Sequence, residues 1–240
     1  MAEPLRVVSW LWKPRAKPPY FEPPTPAKYG PEHVHTLRNM LARHLHMDYE
    51  FCCITDDQTG LDPDIRVIPL WDKGMEYGGC YNRLYAFSED MREIIGPRFV
   101  WIDLDVVIVD DITPLFRRTE PIILNSYKRG PRDPDQYYNG AMVMMDAGAR
   151  KQVWETWRGE ESIRQVEEGR RKGVCTLTDQ GWMRLVLGKN EARWRGEQDG
   201  IYEALWIGGH LPPNARMVFF SGPRDPTAWM HVPWVREHYR

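Results

Sequence analysis

The chain has 240 residues, 42% of them apolar and 28% charged, which is the balance of an ordinary globular protein with room for a sizeable core. A formal net charge of −2 argues against a dedicated nucleic-acid binder, although a local basic patch stays open. No apolar run reaches the roughly 18–20 residues of a membrane span and the start lacks a signal-peptide pattern, so the expectation is a cytoplasmic protein. Cys52, Cys53, Cys80 and Cys175 show no metal-ligand spacing, and the adjacent Cys52 and Cys53 read as buried thiols in a strand. Twenty prolines and eleven tryptophans stand out; a tryptophan face suits a sugar or a base as well as it fills a core.

In chain order, Leu5–Trp12 reads as a first strand. Lys13–Pro31 follows with seven prolines and no periodicity, an irregular loop of a length usually found in functional lids or disordered segments. Pro31 suits a helix start, and Val34, Leu37, Met40, Leu41, His44 and Leu45 recur at helical spacing. Tyr49–Thr55 and Ile65–Leu70 read as strands. After the break at Gly78-Gly79, Leu84, Phe87 and Met91 give one face to an expected helix over Cys80–Glu93. Pro121–Ser126 and Asn139–Asp146 are further strands around a polar loop, Tyr127–Tyr137. Lys151–Lys172 reads as largely helical with a solvated face, and Thr178 as the N-cap of a helix to about Leu187. Met217–Phe220 is the last strand, before a turn and an aromatic, basic tail. Strands alternating with helices predict a single α/β domain around a mostly parallel sheet.

The most informative stretch is Arg98–Phe116, RFVWIDLDVVIVDDITPLF. Its apolar run ends in Asp103 and Asp105, which an extended chain would project to one side. Carboxylates so placed repel each other, and a divalent cation relieves the repulsion and can hold a pyrophosphate. Ligands of open α/β sheets sit beyond the carboxyl ends of the strands. The polar residues there are Ser9, Trp12, Lys13, Asp56, Asp57, Asp103, Asp105 and Ser221-Gly222, and their convergence predicts one cleft.

The strand, Asp-x-Asp, second apolar run and Asp-Ile-Thr-Pro-Leu-Phe resemble the metal-binding segment of nucleotide-sugar glycosyltransferases of the GT-A type. The similarity is closest to the retaining family-eight enzymes, which include glycogenin and bacterial lipooligosaccharide galactosyltransferases. The resemblance implies that Asp103 touches ribose and metal and that Asp105 binds the metal, Mn²⁺ or Mg²⁺. The family's Lys-Leu pair reads here as Arg83-Leu84, and arginine is a good phosphate fork. Tyr138-Asn139-Gly140-Ala141 matches the strand opening that contacts sugar or acceptor, and Asp179-Gln180 matches the pair near the reacting carbon. Ser9, Trp10 and Trp12, in the last part of the first strand, Lys13 just after it, and Gly222 and Arg224, in the terminal turn, complete the expected donor contacts. The family's C-terminal histidine ligand is replaced by Phe219 and its lysine by Asp225. Ser221, Asp225, His231 or water are the candidates for a third ligand.

The resemblance implies transfer of a sugar from a nucleotide diphosphate donor, with a uridine donor the first expectation, to an acceptor hydroxyl with retention. Glycan, protein, small-molecule and nucleic-acid acceptors stay open. An alternative is a phage-type transferase acting on hydroxymethylated DNA bases, with Lys13, Arg15, Lys17, Lys28, Arg236, His238 and Arg240 meeting phosphates. A nucleotidyltransferase usually opens with a Gly-rich phosphate loop, and Ser9–Pro14 has no glycine. A non-catalytic sugar-nucleotide-binding module is the remaining rival, separable by donor hydrolysis.

Overall fold

The computed structural model describes residues 3–13, 28–78, 80–127, 137–222 and 224–240. Most of the proline-rich loop, most of the loop before Asn139, Gly79 and Pro223 lie outside the described residues.

The strands are β1 (Leu5–Leu11), β2 (Tyr49–Thr55), β3 (Arg66–Pro69), β4 (Arg98–Ile102), β5 (Val106–Ile108), β6 (Ile122–Tyr127), β7 (Tyr137–Asp146), β8 (Ile201–Glu203) and β9 (Met217–Phe219). A six-stranded sheet has the order β3-β2-β1-β4-β7-β6. The first four strands of that order run parallel, whereas β7 is antiparallel to both β4 and β6. The sheet is therefore mixed. Ile102 at the end of β4 pairs with Met142, so the start of β7 lies beside the residues that leave β4. A smaller sheet, β5-β9-β8, sets Phe219 between Val106 and Glu203.

The helices are α1 (Pro31–His44), α2 (Met91–Ile94), α3 (Thr113–Phe116), α4 (Gln152–Glu155), α5 (Glu160–Arg171), α6 (Thr178–Leu187), α7 (Ala204–Ile207) and α8 (Pro233–His238). Alternation along β1 and β4 divides the core. Val7, Leu11, Val100 and Ile102 face the α1 residues Val34, Leu37, Met40 and Leu41. Val8, Trp10, Phe99 and Trp101 face the opposite layer, with Leu84, Phe87, Trp182 and Met183. Burial on both faces explains why these strands read as nearly continuous apolar runs.

Two expectations are corrected, the largely helical stretch after β7 is borne out in two pieces, and one strand is new. Cys80–Glu93 is not one helix but a 3₁₀ run, Tyr81–Phe87, followed by the single turn of α2. All seven residues of that run are buried, so its apolar spacing never marked one wet and one dry face. Lys151–Lys172 divides into α4 and α5 at Gly159, whose φ of 60° and contact with the Tyr77 ring leave no room for a side chain. On α5 only Ser162, Ile163, Val166 and Gly169 are buried, in keeping with the expected solvated face. Leu177, not Thr178, occupies the N-cap of α6, and no side chain caps that end. Finally, β8 had no counterpart in the sequence reading, because three residues are too few to show a period.

Candidate active site

The cleft begins where β4 ends. Trp101, fully buried, donates its indole N–H to the Gly140 carbonyl at 2.8 Å, and the Asp103 N–H donates to the Ala141 carbonyl at 2.8 Å. These bonds tie the end of β4 to the start of β7. Asp103–Asp105 then forms a bend and not extended chain, so the two carboxylates turn to different partners.

Asp103 belongs to an ionic triad. Arg83 Nη1 donates to Asp103 Oδ1 at 2.6 Å, while its Nε and Nη2 reach Asp179 Oδ2 at 2.9 and 2.8 Å. The Arg83 and Asp179 side chains are 6% and 2% exposed, whereas that of Asp103 is 26% exposed. Burial opposes the charge on Arg83, but the two carboxylates outweigh it and hold the guanidinium pKa above its ordinary value. Burial also pushes the Asp103 carboxyl up to about 7, against the pull of Arg83 and with the charges of Asp105 and Asp179 adding to it. Asp179 Oδ1 is buried and has no hydrogen-bond partner among the described residues. A group so placed is a ready acceptor for a ligand hydroxyl.

Asp105 lies across the bend. Its Oδ2 accepts the Tyr29 hydroxyl at 3.1 Å, and Lys28 Nζ stands 3.7 Å away. Its carbonyl accepts the Phe220 N–H at 2.7 Å, which anchors the bend to the end of β9. Burial raises its carboxyl pKa, and Lys28 and the Tyr29 hydrogen bond oppose the rise.

Asn139, Gly140 and Gln180 complete the floor. Asn139 Oδ1 accepts the Ala141 N–H at 2.7 Å, and Gln180 Oε1 accepts the Gly140 N–H at 3.1 Å. A Cβ on Gly140 would stand 3.0 Å from Arg83 Nη2 and 3.2 Å from Asp179 Oδ2, so glycine here lets the strand lie against the ion pair. Thr178, just before Asp179, has φ 66°, unusual for a β-branched residue and the sort of strain found at functional sites.

Sequence reasoning missed Glu203, at the end of β8. Its Oε1 accepts Ser221 Oγ–H at 2.9 Å and Asn139 Nδ2–H at 3.2 Å, linking the terminal turn to β7. Burial pushes its carboxyl up to about 7, against the Ser221 hydrogen bond and with the Asp105 charge adding. A carboxyl raised in the folded state favours folding when protonated, so that stability is present below about pH 4.3 and lost as pH rises towards 7. Glu203→Gln, which keeps the acceptor oxygen, is expected to match wild type at pH 4.5 and exceed it by on the order of 2 kcal/mol at pH 8. Urea denaturation at both pH values checks this; an unchanged difference between them would sink it.

The remaining expected donor residues divide by burial. Ser9 is fully buried and donates its hydroxyl to the Ile102 carbonyl at 2.9 Å, so it stitches β1 to β4 and offers a ligand no surface. Trp10, 4% exposed, packs edge-on against Trp12, Trp71 and Trp101. Trp12 is half-buried where β1 ends, and Lys13 beside it is exposed and paired with Asp57 at 2.7 Å. Gly222 takes φ 79° in the terminal turn, where Arg224 Nη1 donates to the Ser221 carbonyl at 2.9 Å. Phe219 is fully buried in β9. Asp225 caps the Thr227 N–H, and His231 is exposed beside Trp229. Arg15 and Lys17 lie outside the described residues.

Among the described residues, no group of three His, Cys, Asp or Glu side chains is placed to hold a metal by itself. Asp103 and Asp105 nonetheless suit a cation that arrives with a diphosphate, because Mg²⁺-type ions commonly take one or two carboxylates and complete their shell with phosphates and water. Among the described residues, no helix is long and apolar enough to cross a membrane.

No family model matches this sequence, and no curated protein matches it. Solved structures do. The chain is similar to the galactosyltransferase LgtC, crystallised with donor and acceptor sugar analogues, at 14% identity and a TM-score of 0.57 over 98% of this chain and 97% of that one. It is similar to the glycosyltransferase GlyE of Streptococcus pneumoniae at 12% identity and a TM-score of 0.58, covering 98% of this chain and 63% of that one. The bifunctional glycosyltransferase WbbM gives 12% identity and a TM-score of 0.54, with 99% of this chain spanning about half (51%) of that one. The structural neighbours are thus glycosyltransferases of the GT-A type, and the mixed sheet flanked by helices is the fold this chain shares with them.

Proposed function

We propose that the protein is a glycosyltransferase that moves a sugar from a nucleotide diphosphate donor, a UDP-sugar first among candidates, to an acceptor hydroxyl. The observation that carries this reading is the Arg83 bridge between Asp103 and Asp179, formed where β4 ends and β7 begins. It combines a buried cation suited to phosphate with carboxylates suited to ribose, sugar hydroxyls and a metal. Gln180 and Asn139, on the same floor, are amides suited to orienting the sugar and acceptor.

In this reading Arg83 and Arg224 neutralise charge that develops on the leaving diphosphate. A divalent cation held by Asp103 and Asp105 supplies further positive charge to the same oxygens when bound. The bond from the anomeric carbon to the diphosphate breaks through an oxocarbenium-like state. The acceptor oxygen bonds to that carbon on the face the diphosphate leaves, and the acceptor proton passes to a diphosphate oxygen. Configuration is then retained, which NMR of the product reads directly.

The test is calorimetric binding of UDP against GDP, CDP and ADP, with and without Mn²⁺, on wild type and Asp105→Ala, followed by donor hydrolysis. UDP binding strengthened by Mn²⁺ and lost in Asp105→Ala, with slow release of sugar to water, is the expected result. Binding without hydrolysis would identify a sugar-nucleotide-binding module, and no nucleotide binding would remove the donor site altogether.

A further inference from the structure

In the alternative nucleic-acid reading, Lys28 meets phosphates from the proline-rich loop. The structure turns it inward. Its ammonium donates to the carbonyls of Gly222, at 3.2 Å, and of Arg224, and stands 3.7 Å from Asp105 Oδ2. It also lies 4.6 Å from the centre of the Tyr29 ring, and the Tyr29 hydroxyl donates to the same carboxylate oxygen. The side chain is 30% exposed, against 14% for Asp105. Residues separated by more than 190 positions in sequence thus meet around one nitrogen.

Two carbonyls and a carboxylate around a cation form a set of oxygen donors. An ammonium in that place offers the right charge but is fixed to the chain. A divalent ion binding to Asp105 would stand close to the ammonium, in surroundings where like charges repel strongly because little water screens them. An ion on Asp105 Oδ2 and the ammonium would compete for the same oxygen. Arg83 already stands on the other side, bound to Asp103, so Lys28 is the cation nearest to Asp105 among the described residues.

We propose that Lys28 is a built-in counter-cation of the donor site, holding Asp105 in the unloaded protein and competing with divalent metal for that carboxylate. This rests on the reading of Asp103 and Asp105 as the donor site. Metal binds weakly to the free protein, and the ion that enters with a nucleotide diphosphate displaces the ammonium towards the phosphates. Release of Lys28 also frees the carbonyls of Gly222 and Arg224, which couples occupancy of the site to the contact between residue 28 and these two residues.

The experiment is titration of Mn²⁺ into the full chain, read by loss of the free-ion EPR signal, without and with UDP. The proteins are wild type, Lys28→Met, Lys28→Arg, and Lys28→Met combined with Asp105→Asn. Without UDP, Lys28→Met is expected to bind Mn²⁺ at least ten-fold more tightly than wild type, Lys28→Arg like wild type, and the double variant not at all. Lys28→Met also melts at lower temperature than wild type and recovers on adding Mn²⁺, which a misfolded variant would not do. Equal or weaker Mn²⁺ binding by Lys28→Met, or a gain that survives Asp105→Asn, would overturn the proposal. If UDP brings Mn²⁺ to wild type while Lys28→Met changes nothing, the counter-cation role fails and the donor site stands. If Lys28→Met gains Mn²⁺ but no variant binds UDP, the counter-cation role stands and the donor site fails.

Discussion

Arg83→Ala is expected to destabilise the protein by about 3–5 kcal/mol, the usual cost of removing one partner from a buried ion pair. The reason lies in what it leaves behind. Asp179 is 1% exposed and takes two of its contacts from this guanidinium, and Asp103 takes its shortest from the same group. Without Arg83 both carboxylates must either protonate or remain charged with little water around them. The wall also opens at Gly140, whose backbone lies against Arg83 Nη2. Arg83→Lys is expected to recover part of the loss only, since one ammonium cannot fork to two carboxylates on different elements. Urea denaturation of the three proteins gives the comparison, and an alanine variant within about 1 kcal/mol of wild type would show that the triad is not a structural support. Sugar transfer should fall in both variants, with the lysine variant retaining more.

Asp103→Asn should behave in the opposite way. Burial has already pushed this carboxyl up to about 7, so a neutral amide removes a charge the fold does not favour. Its carbonyl oxygen can still accept from Arg83 Nη1. Thermal stability is expected to be unchanged or higher, while donor turnover falls by roughly 10²–10³, the loss typical of removing one charge-stabilising group from an active site. Melting curves together with a transfer or donor-hydrolysis assay separate the two effects. Unchanged turnover in a folded Asp103→Asn protein would remove Asp103 from the donor site. Together the two variants distinguish residues that hold the cleft in shape from residues that act on what it binds.

Apart from β8, the strands and α1 were legible in chain order because each carries an apolar pattern, and pattern is a property of neighbouring residues. The Asp103 and Asp105 stretch was legible for the same reason, as two polar residues interrupting an otherwise apolar run. The direction in which those carboxylates point was not. An extended chain would have sent both to one side, but the bend turns Asp103 to Arg83 and Asp105 to Tyr29 and Lys28. Ser9 shows the same limit. It follows the right residues to face a ligand, yet the adjacent β4 takes its hydroxyl and covers it. Tyr81–Phe87 carried helical spacing, but burial on every side removed the wet face that would have made the spacing meaningful.

By itself, then, the sequence determined an alternating α/β chain, the parallel strands at its start, and an acidic pair closing an apolar run, with Asn139, Gly140, Asp179 and Gln180 following in order. Only the tertiary structure decided which charges meet. Arg83 reaches Asp103 across 20 positions and Asp179 across 96, while Lys28 reaches the terminal turn across 194 and 196. Glu203 joins Asn139 to Ser221 from a strand too short to carry a pattern. Local pattern sets which face of an element is apolar. Charge pairing across such separations is set by how the layers stack, and burial then makes each pairing strong because water no longer screens it.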